Sequence, residues 1–330
     1  MKMKQFKKYL WPLLGIIVML VSFRILYVKL KGMEWAQVFD RLGSLDLHHW
    51  LLAIFFAIAS YAALAGYDRI ALKHLGKKNI SWLFITICSF TTYALSHNIG
   101  ASVFSGAVVR YRAYSKKGLS GPEIAVLVGF CSFTFALGTI VLSGLVLVLR
   151  PELIQLFHVD IPNWVALTIG FVMLGLVGLY ILGSILQFKP LKIGKKFQLT
   201  YPRLNIVVQQ LIIGPLELLG AAGIIYAVLP DAGNPGFITV LGVFLASFSV
   251  TLLSTAPAGG LGVLETIFIA GMPNMGDSNV IAALIVFRLL YLIIPLFLSL
   301  IFIAVFEFSQ LGKKLSNGDE NAAKDVSPPS

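Results

Sequence analysis

Charge is scarce in this sequence. Only 12% of its 330 residues are Asp, Glu, Lys or Arg, 58% are hydrophobic, and the mean hydropathy is +0.87. Soluble domains carry about twice that share of charge, so a water-exposed globular fold is excluded. Acids are the scarcer sign, 15 against 26 bases. Cysteine is limited to Cys88 and Cys131, both inside apolar runs, which argues against a disulfide framework or thiol chemistry. The five histidines include no pair with metal-ligand spacing on a shared helical face beyond the adjacent His48 and His49, so no metal is expected. No GxxxxGK[ST] loop occurs, and no cofactor is expected.

Long apolar runs are what the chain does contain. Leu10–Val28, Trp50–Tyr67, Ile124–Leu149, Trp164–Leu186, Leu204–Leu229 and Val280–Phe306 reach the roughly 20 residues that span a bilayer as a helix. The expected fold is an all-α polytopic membrane protein. The first run lacks a small-residue cleavage site and reads as a retained anchor.

The net charge of +11 would suit nucleic acid, but the positions of the bases argue otherwise. Lys and Arg crowd Met1–Tyr9, Asp68–Ser81, Arg110–Pro122, Phe188–Arg203 and the C-terminal tail. Arg150–Asn163 has a single base, and Pro230–Gly236 and Gly271–Asn279 have none. Basic connections mark the cytoplasmic side, which places both termini there. The basic surplus then faces anionic headgroups, and no nucleic-acid partner is expected.

This alternation leaves two segments that start and finish on one side. The segment 82–109 is bounded by basic connections and breaks at SHNIGAS, which contains Asn98. The segment 237–272 is bounded by charge-poor connections and breaks at PAGGLGVLE, which contains Pro257, Gly259, Gly260, Gly262 and Glu265. Both read as re-entrant helical hairpins. The order is then helix, hairpin, helix, a connecting helix, and the same set inverted. Such repeats, interrupted by Gly and Pro at matching places, point to a transporter-type site near the midplane. Residues 1–312 form one membrane domain in this reading, and 313–330 form a disordered cytoplasmic tail. Between the first two spans, Trp35, Val38, Phe39, Leu42 and Leu45 share a helical face, as in a helix lying at the interface.

Charges inside spans are costly enough to need a reason. Glu217 lies mid-helix on a stripe with Gln210, Gly214 and Ala221, next to Pro215. Gly259, Gly262 and Glu265 follow at i+3 steps along one helical face. Arg288 lies two turns into the last helix near Tyr291, and Arg110 and Arg112 close the first hairpin among Tyr111 and Tyr114. Arg288 pairs with either Glu265 or Glu217. These charges either lock neighbouring helices or line a polar cavity. In the second case, exposed N–H groups at the hairpin breaks would attract an anion, with Arg110, Arg112 or Arg288 adding bidentate contacts.

GAVVRYRAYSKKGLS and PAGGLGVLETIFIAG followed by FRLLYLIIP resemble the signatures of the lysylphosphatidylglycerol synthetase transmembrane-domain family. The resemblance covers nearly the whole chain. It implies a flippase-like bacterial inner-membrane protein that binds a lipid, an anionic phospholipid above all. The residues it marks are Arg110, Tyr111, Arg112, Tyr114, Pro257, Gly259, Gly262, Glu265, Arg288 and Tyr291. Two-part members add a soluble aminoacyl-transferase domain. That domain is expected to be absent here, so no synthetase activity is implied. The leading reading is a lipid transporter, with Glu217 and Glu265 as candidate proton-linked carboxylates. The alternatives are a scaffold for a partner membrane enzyme, and an intramembrane enzyme whose one local nucleophile–base candidate is Ser96 with His97.

The topology yields a direct prediction. A cysteine placed at Ser115 should react with an impermeant thiol reagent only from the cytoplasmic side, and one at Asn274 only from outside.

Overall fold

A computed structural model describes residues 35–99, 102–157, 161–187, 191–193, 197–199, 201–253 and 262–305, together with Arg24. The expected first span (10–28), the turns of both hairpins and the tail lie outside these residues. The helices are α1 (Trp35–Gly43), α2 (Leu47–His74), α3 (Trp82–Ile99), α4 (Ser102–Tyr114), α5 (Gly121–Leu149), α6 (Asn163–Ile185), α7 (Leu204–Val228), α8 (Phe237–Leu253), α9 (Val263–Ala270) and α10 (Asp277–Arg288). α10 passes through a π turn at Leu289–Ile293 and stays helical to Val305. Among the described residues, α2, α5, α6, α7 and α10 are long and apolar enough to cross a membrane. Their outer faces expose large apolar side chains such as Phe171 (62%) and Leu179 (63%), which suits hydrocarbon and not water. The chain is a multi-pass membrane protein.

Local sequence explains where helices begin. Ser120 caps α5, its backbone N–H donating to the Glu123 carboxylate at 2.8 Å, and Pro122 sits in the first turn where no N–H is needed. Lys77 pairs with Glu123 at 2.8 Å and ties the end of α2 to this start.

The described legs of both expected hairpins pack against each other. In the first, Gly106 abuts Ser96 and Thr92, the Arg110 guanidinium lies 4.9 Å over the Tyr93 ring, and Tyr114 meets Phe84. Partners of α4 therefore descend along α3 as α4 ascends, so the two legs are antiparallel. In the second, α8 packs on α9, and Val243 closes over Gly271 beyond the far end of α9. The connection after α5 contains a 3₁₀ helix, Pro151–Phe157, which lies against α8 and α9. The basic connection 188–203 carries a short antiparallel ribbon of β1 (Leu191–Ile193) and β2 (Phe197–Leu199).

The halves are matched. α2 and α7 start at Leu47 and Leu204, first hairpin legs at Trp82 and Phe237, second legs at Ser102 and Val263, and closing helices at Gly121 and Asp277. Each step is close to the 157 residues that separate Ser60 from Glu217, which touch at the centre. Ile213 packs on Gly66, and Phe56 packs on Gly223; the same shift converts one contact into the other. Lys73 reaches Gln209 at one end of the α2–α7 contact and Phe56 meets Gly223 at the other, so these helices are antiparallel and the second half is inverted. Packing follows suit: α2 on α3 and α7 on α8, α4 on α5 and α9 on α10, α2 on α5 and α7 on α10. α6 lies outside this correspondence and packs mainly on α5.

α1 packs on α10. It buries Val38 and leaves Trp35 and Phe39 exposed, so its apolar face is shared between protein and surroundings.

Where α5 crosses α7, Gly138 meets backbone. A Cβ there would lie 2.4 Å from the Gly214 carbonyl carbon. Gly138→Ala should lower the thermal midpoint in detergent, by about 1–3 kcal/mol of stability. Gly129→Ala, whose added Cβ meets nothing within 4 Å, should show no loss.

Candidate functional site

Three buried acids organise the interior, and each is held differently. Asp68, wholly buried near the end of α2, accepts Arg110 Nη2 at 2.6 Å and Arg110 Nε at 3.2 Å. Tyr114 donates its hydroxyl to Asp68 Oδ2 at 2.9 Å, and the Cys131 thiol lies 3.4 Å from Oδ1. The bidentate partner of Arg110 is thus a carboxylate of the chain itself, and its fork is not open to an outside anion. Arg112, two residues on, lies on the exposed side of α4 with Tyr111. Sequence reasoning missed Asp68, which was assigned to a basic connection. The available signal was the apolar period of α2 running on through Leu64, Asp68 and Leu72, one turn at a time, past the expected end of the span.

Glu217 stands at the contact between the halves. Its backbone carbonyl accepts the Ser60 hydroxyl at 3.0 Å, Tyr291 donates its hydroxyl to Oε1, and Oε2 is buried without a partner. Tyr67 donates to the Gly214 carbonyl at 3.0 Å, just before Pro215. Tyr291 lies in the π turn of α10, where the i→i+5 pattern loosens the carbonyl ladder. Two carbonyls of that turn are caught from outside: Tyr61 donates to the Tyr291 carbonyl at 2.9 Å and Asn98 Nδ2 donates to that of Leu292 at 3.0 Å. The His97 ring stacks on Tyr291 at 5.2 Å, and His97 Nδ1 is likewise buried without a partner. The SHNIGAS break therefore brings His97 and Asn98 against the π turn of the other half.

Glu265 begins α9. Its Oε2 accepts the Gly262 N–H at 2.9 Å and its Oε1 accepts Arg288 Nε, while Arg288 Nη2 is buried without a partner. Of the two partners expected for Arg288, the structure selects Glu265, and Glu217 bonds Tyr291 instead. Gly262 is not part of a continuous helical face with Glu265, as the i+3 spacing suggested. It is the N-cap at φ 87°, a conformation that needs glycine. Pro257, Gly259 and Gly260 lie outside the described residues.

The clusters connect. The Arg110 guanidinium covers Tyr93, Tyr93 neighbours His97 at 5.8 Å, His97 stacks on Tyr291, and Arg288 is one turn before Tyr291. The structure thus joins Asn98, Glu217, Tyr291, Glu265 and Arg288 around the π turn. Arg110 and Tyr114 stand one aromatic ring away, with Asp68.

The Asp68–Arg110 pair can be tested for stability. Asp68→Ala leaves a guanidinium buried alone and should cost about 3–5 kcal/mol, whereas Asp68→Leu with Arg110→Met should recover most of it. Denaturation in detergent measures both.

Known proteins resemble this chain in sequence along most of its length. The family described as the lysylphosphatidylglycerol synthase TM region matches residues 13–299. An uncharacterized protein of Synechocystis sp. is 28% identical over 300 residues, covering 90% of this chain and 91% of its own. The inner membrane protein YbhN of Escherichia coli is 31% identical over 313 residues, covering 94% and 93%. The phosphatidylglycerol lysyltransferase of Staphylococcus haemolyticus is 25% identical over 298 residues, 88% of this chain but 33% of that protein. With its helices, its hairpins and this match across most of its length, the chain belongs to the family of the lysylphosphatidylglycerol synthase transmembrane region.

Proposed function

We propose that this protein is a lipid translocase of the bacterial inner membrane, with both termini cytoplasmic, that binds an anionic phospholipid or related amphiphile and moves it between leaflets. The observation that carries this reading is the polar centre at the contact of two inverted halves. There Arg288 and Glu217 each keep a buried atom without a protein partner, Arg288 beside the second hairpin and Glu217 against the Tyr291 that the first hairpin touches. Unsatisfied polar atoms in a membrane interior are costly, and a headgroup entering between the hairpins with a phosphate for Arg288 and a hydroxyl that donates to Glu217 would relieve them. The relatives support the setting: one is named for a lipid, phosphatidylglycerol, and another for the inner membrane. Aminoacyl transfer is not carried over, because the match covers only a third of the lysyltransferase.

In this reading Arg288 contacts the headgroup phosphate, Glu265 orients Arg288 through Nε and caps the hairpin, and Asn98 and Tyr291 shape the π turn behind the site. Acyl chains stay in the bilayer.

The test is leaflet exchange of a labelled anionic lipid in proteoliposomes. Wild-type protein should accelerate exchange above empty liposomes, and Glu265→Ala and Arg288→Ala should each slow it at least about tenfold, as expected for breaking a buried charge pair. Absence of exchange by wild type under every imposed gradient would remove the translocase reading in favour of a scaffold for a partner membrane enzyme.

A further inference from the structure

Among the described residues, two of the three buried acids of the interior are ion-paired with an arginine and one is not. Asp68 holds Arg110, and Glu265 holds Arg288. Glu217 is 1% exposed, lies midway along α7 and has no cationic partner. Its Oε1 accepts the Tyr291 hydroxyl, and its Oε2 is buried with no donor. Hydrocarbon tolerates a carboxylate served by one neutral hydroxyl very poorly, and such a group takes up a proton in preference to staying ionised. As a neutral acid it accepts Tyr291 on one oxygen and carries its proton on the other.

The groups that face Glu217 supply no charge in place of the missing cation. They are Tyr61 and Tyr67 from α2 and Tyr291 from the π turn. Arg288, one turn before Tyr291, is held by Glu265, and its unpartnered Nη2 does not meet the unpartnered Oε2. Asp68 follows Tyr67 and is closed off by Arg110, α5 brings Cys131 against Asp68, and α6 brings Tyr180 against Gln210. α8 contains no titratable residue. His97 reaches the centre through its stack on Tyr291. The donor set also argues against a metal ion, because a hard cation takes several oxygen ligands. The carbonyls of Gly214, Glu217 and Tyr291 are engaged by the hydroxyls of Tyr67, Ser60 and Tyr61. One free carboxylate oxygen among engaged carbonyls suits a proton.

We propose that Glu217 is a proton-binding site, neutral in this arrangement, and that its proton is the ion coupled to lipid movement. Charge sets the direction. With Glu265 already in the centre, an ionised Glu217 would repel an anionic headgroup approaching Arg288, and a protonated one does not. Proton and headgroup therefore enter together and travel the same way. The O–H bond forms on Oε2 with a proton from water on one side of the membrane, and that proton is given up to water on the other. A headgroup hydroxyl still finds acceptor capacity on the protonated carboxyl. The coupling rests on the translocase reading; the proton site does not.

Infrared difference spectroscopy of the full-length chain in detergent reads the site without transport. Moving wild type from mildly acidic to alkaline buffer should bleach one C=O stretch of a protonated carboxyl. That band should be absent in Glu217→Gln and shifted to higher frequency in Tyr291→Phe, which loses the donor to Oε1. Absence of the band in wild type overturns the site, as does its persistence in Glu217→Gln or its displacement by sodium at fixed pH. If Glu217→Gln does not fold, Tyr291→Phe decides: a shifted band supports the site, and an unshifted band overturns it. In proteoliposomes, an inward proton gradient of about one pH unit should speed inward movement of a labelled anionic lipid by up to about tenfold, the limit for one coupled proton. Glu217→Gln should show no response to the gradient. Wild-type exchange that ignores the gradient overturns the coupling and leaves translocation standing. If wild type exchanges no lipid at all, the translocase reading and the coupling fall together, and the infrared band still decides the proton site.

Discussion

The close antiparallel contact of α2 with α7 is the constraint on which the rest of the structure depends. Gly66, Gly220 and Gly223 remove the side chains that would hold the helices apart, and Ser60 uses that proximity to reach the Glu217 carbonyl. A Cβ on Gly220 would lie 2.3 Å from the Ser60 hydroxyl oxygen. In a membrane, where lipid tails are as apolar as leucine, close backbone approach and interhelical hydrogen bonds are what hold helices together. Once these two are joined, each half hangs its hairpin and closing helix on one of them in matching order.

The second constraint is the intolerance of hydrocarbon for uncompensated charge. The chain meets it three ways. Asp68 is closed off by a bidentate arginine and a tyrosine. Glu265 is shared between a helix cap and an arginine. Glu217 receives one tyrosine hydroxyl and keeps an oxygen in reserve. The first arrangement is complete, and its buried groups are structural glue between α2 and α4. The second and third leave atoms unmatched on either side of the π turn, which is why the functional reading centres there.

The halves share an architecture without sharing chemistry. Each hairpin's second leg carries one charge tied to a neighbouring helix, but the first half places the arginine on the hairpin and the acid on α2. The second half reverses this, with the acid on α9 and the arginine on α10. α6 breaks the symmetry altogether, and it brings with it a flank of exposed apolar surface and a basic ribbon.

The five spans among the described residues and the inverted order of the halves were legible from the sequence, because apolar run length and Lys/Arg alternation are imposed by the bilayer on local segments. Glu217, Glu265, Arg288 and Tyr291 were legible for the same reason: a polar residue in an apolar run stands out. Partners were not. Nothing near Arg110 in the chain announces Asp68, 42 residues earlier, and nothing in FRLLYLIIP says that its helix loosens into a π turn stabilised by Tyr61 and Asn98. The choice of Glu265 over Glu217 for Arg288 was likewise decided by packing. Each of these depends on which helix faces which, and that is set by packing between elements separated in the chain. Composition and periodicity specify the elements and the environment. Only the tertiary structure decides which buried charges are silenced by a partner and which are left available.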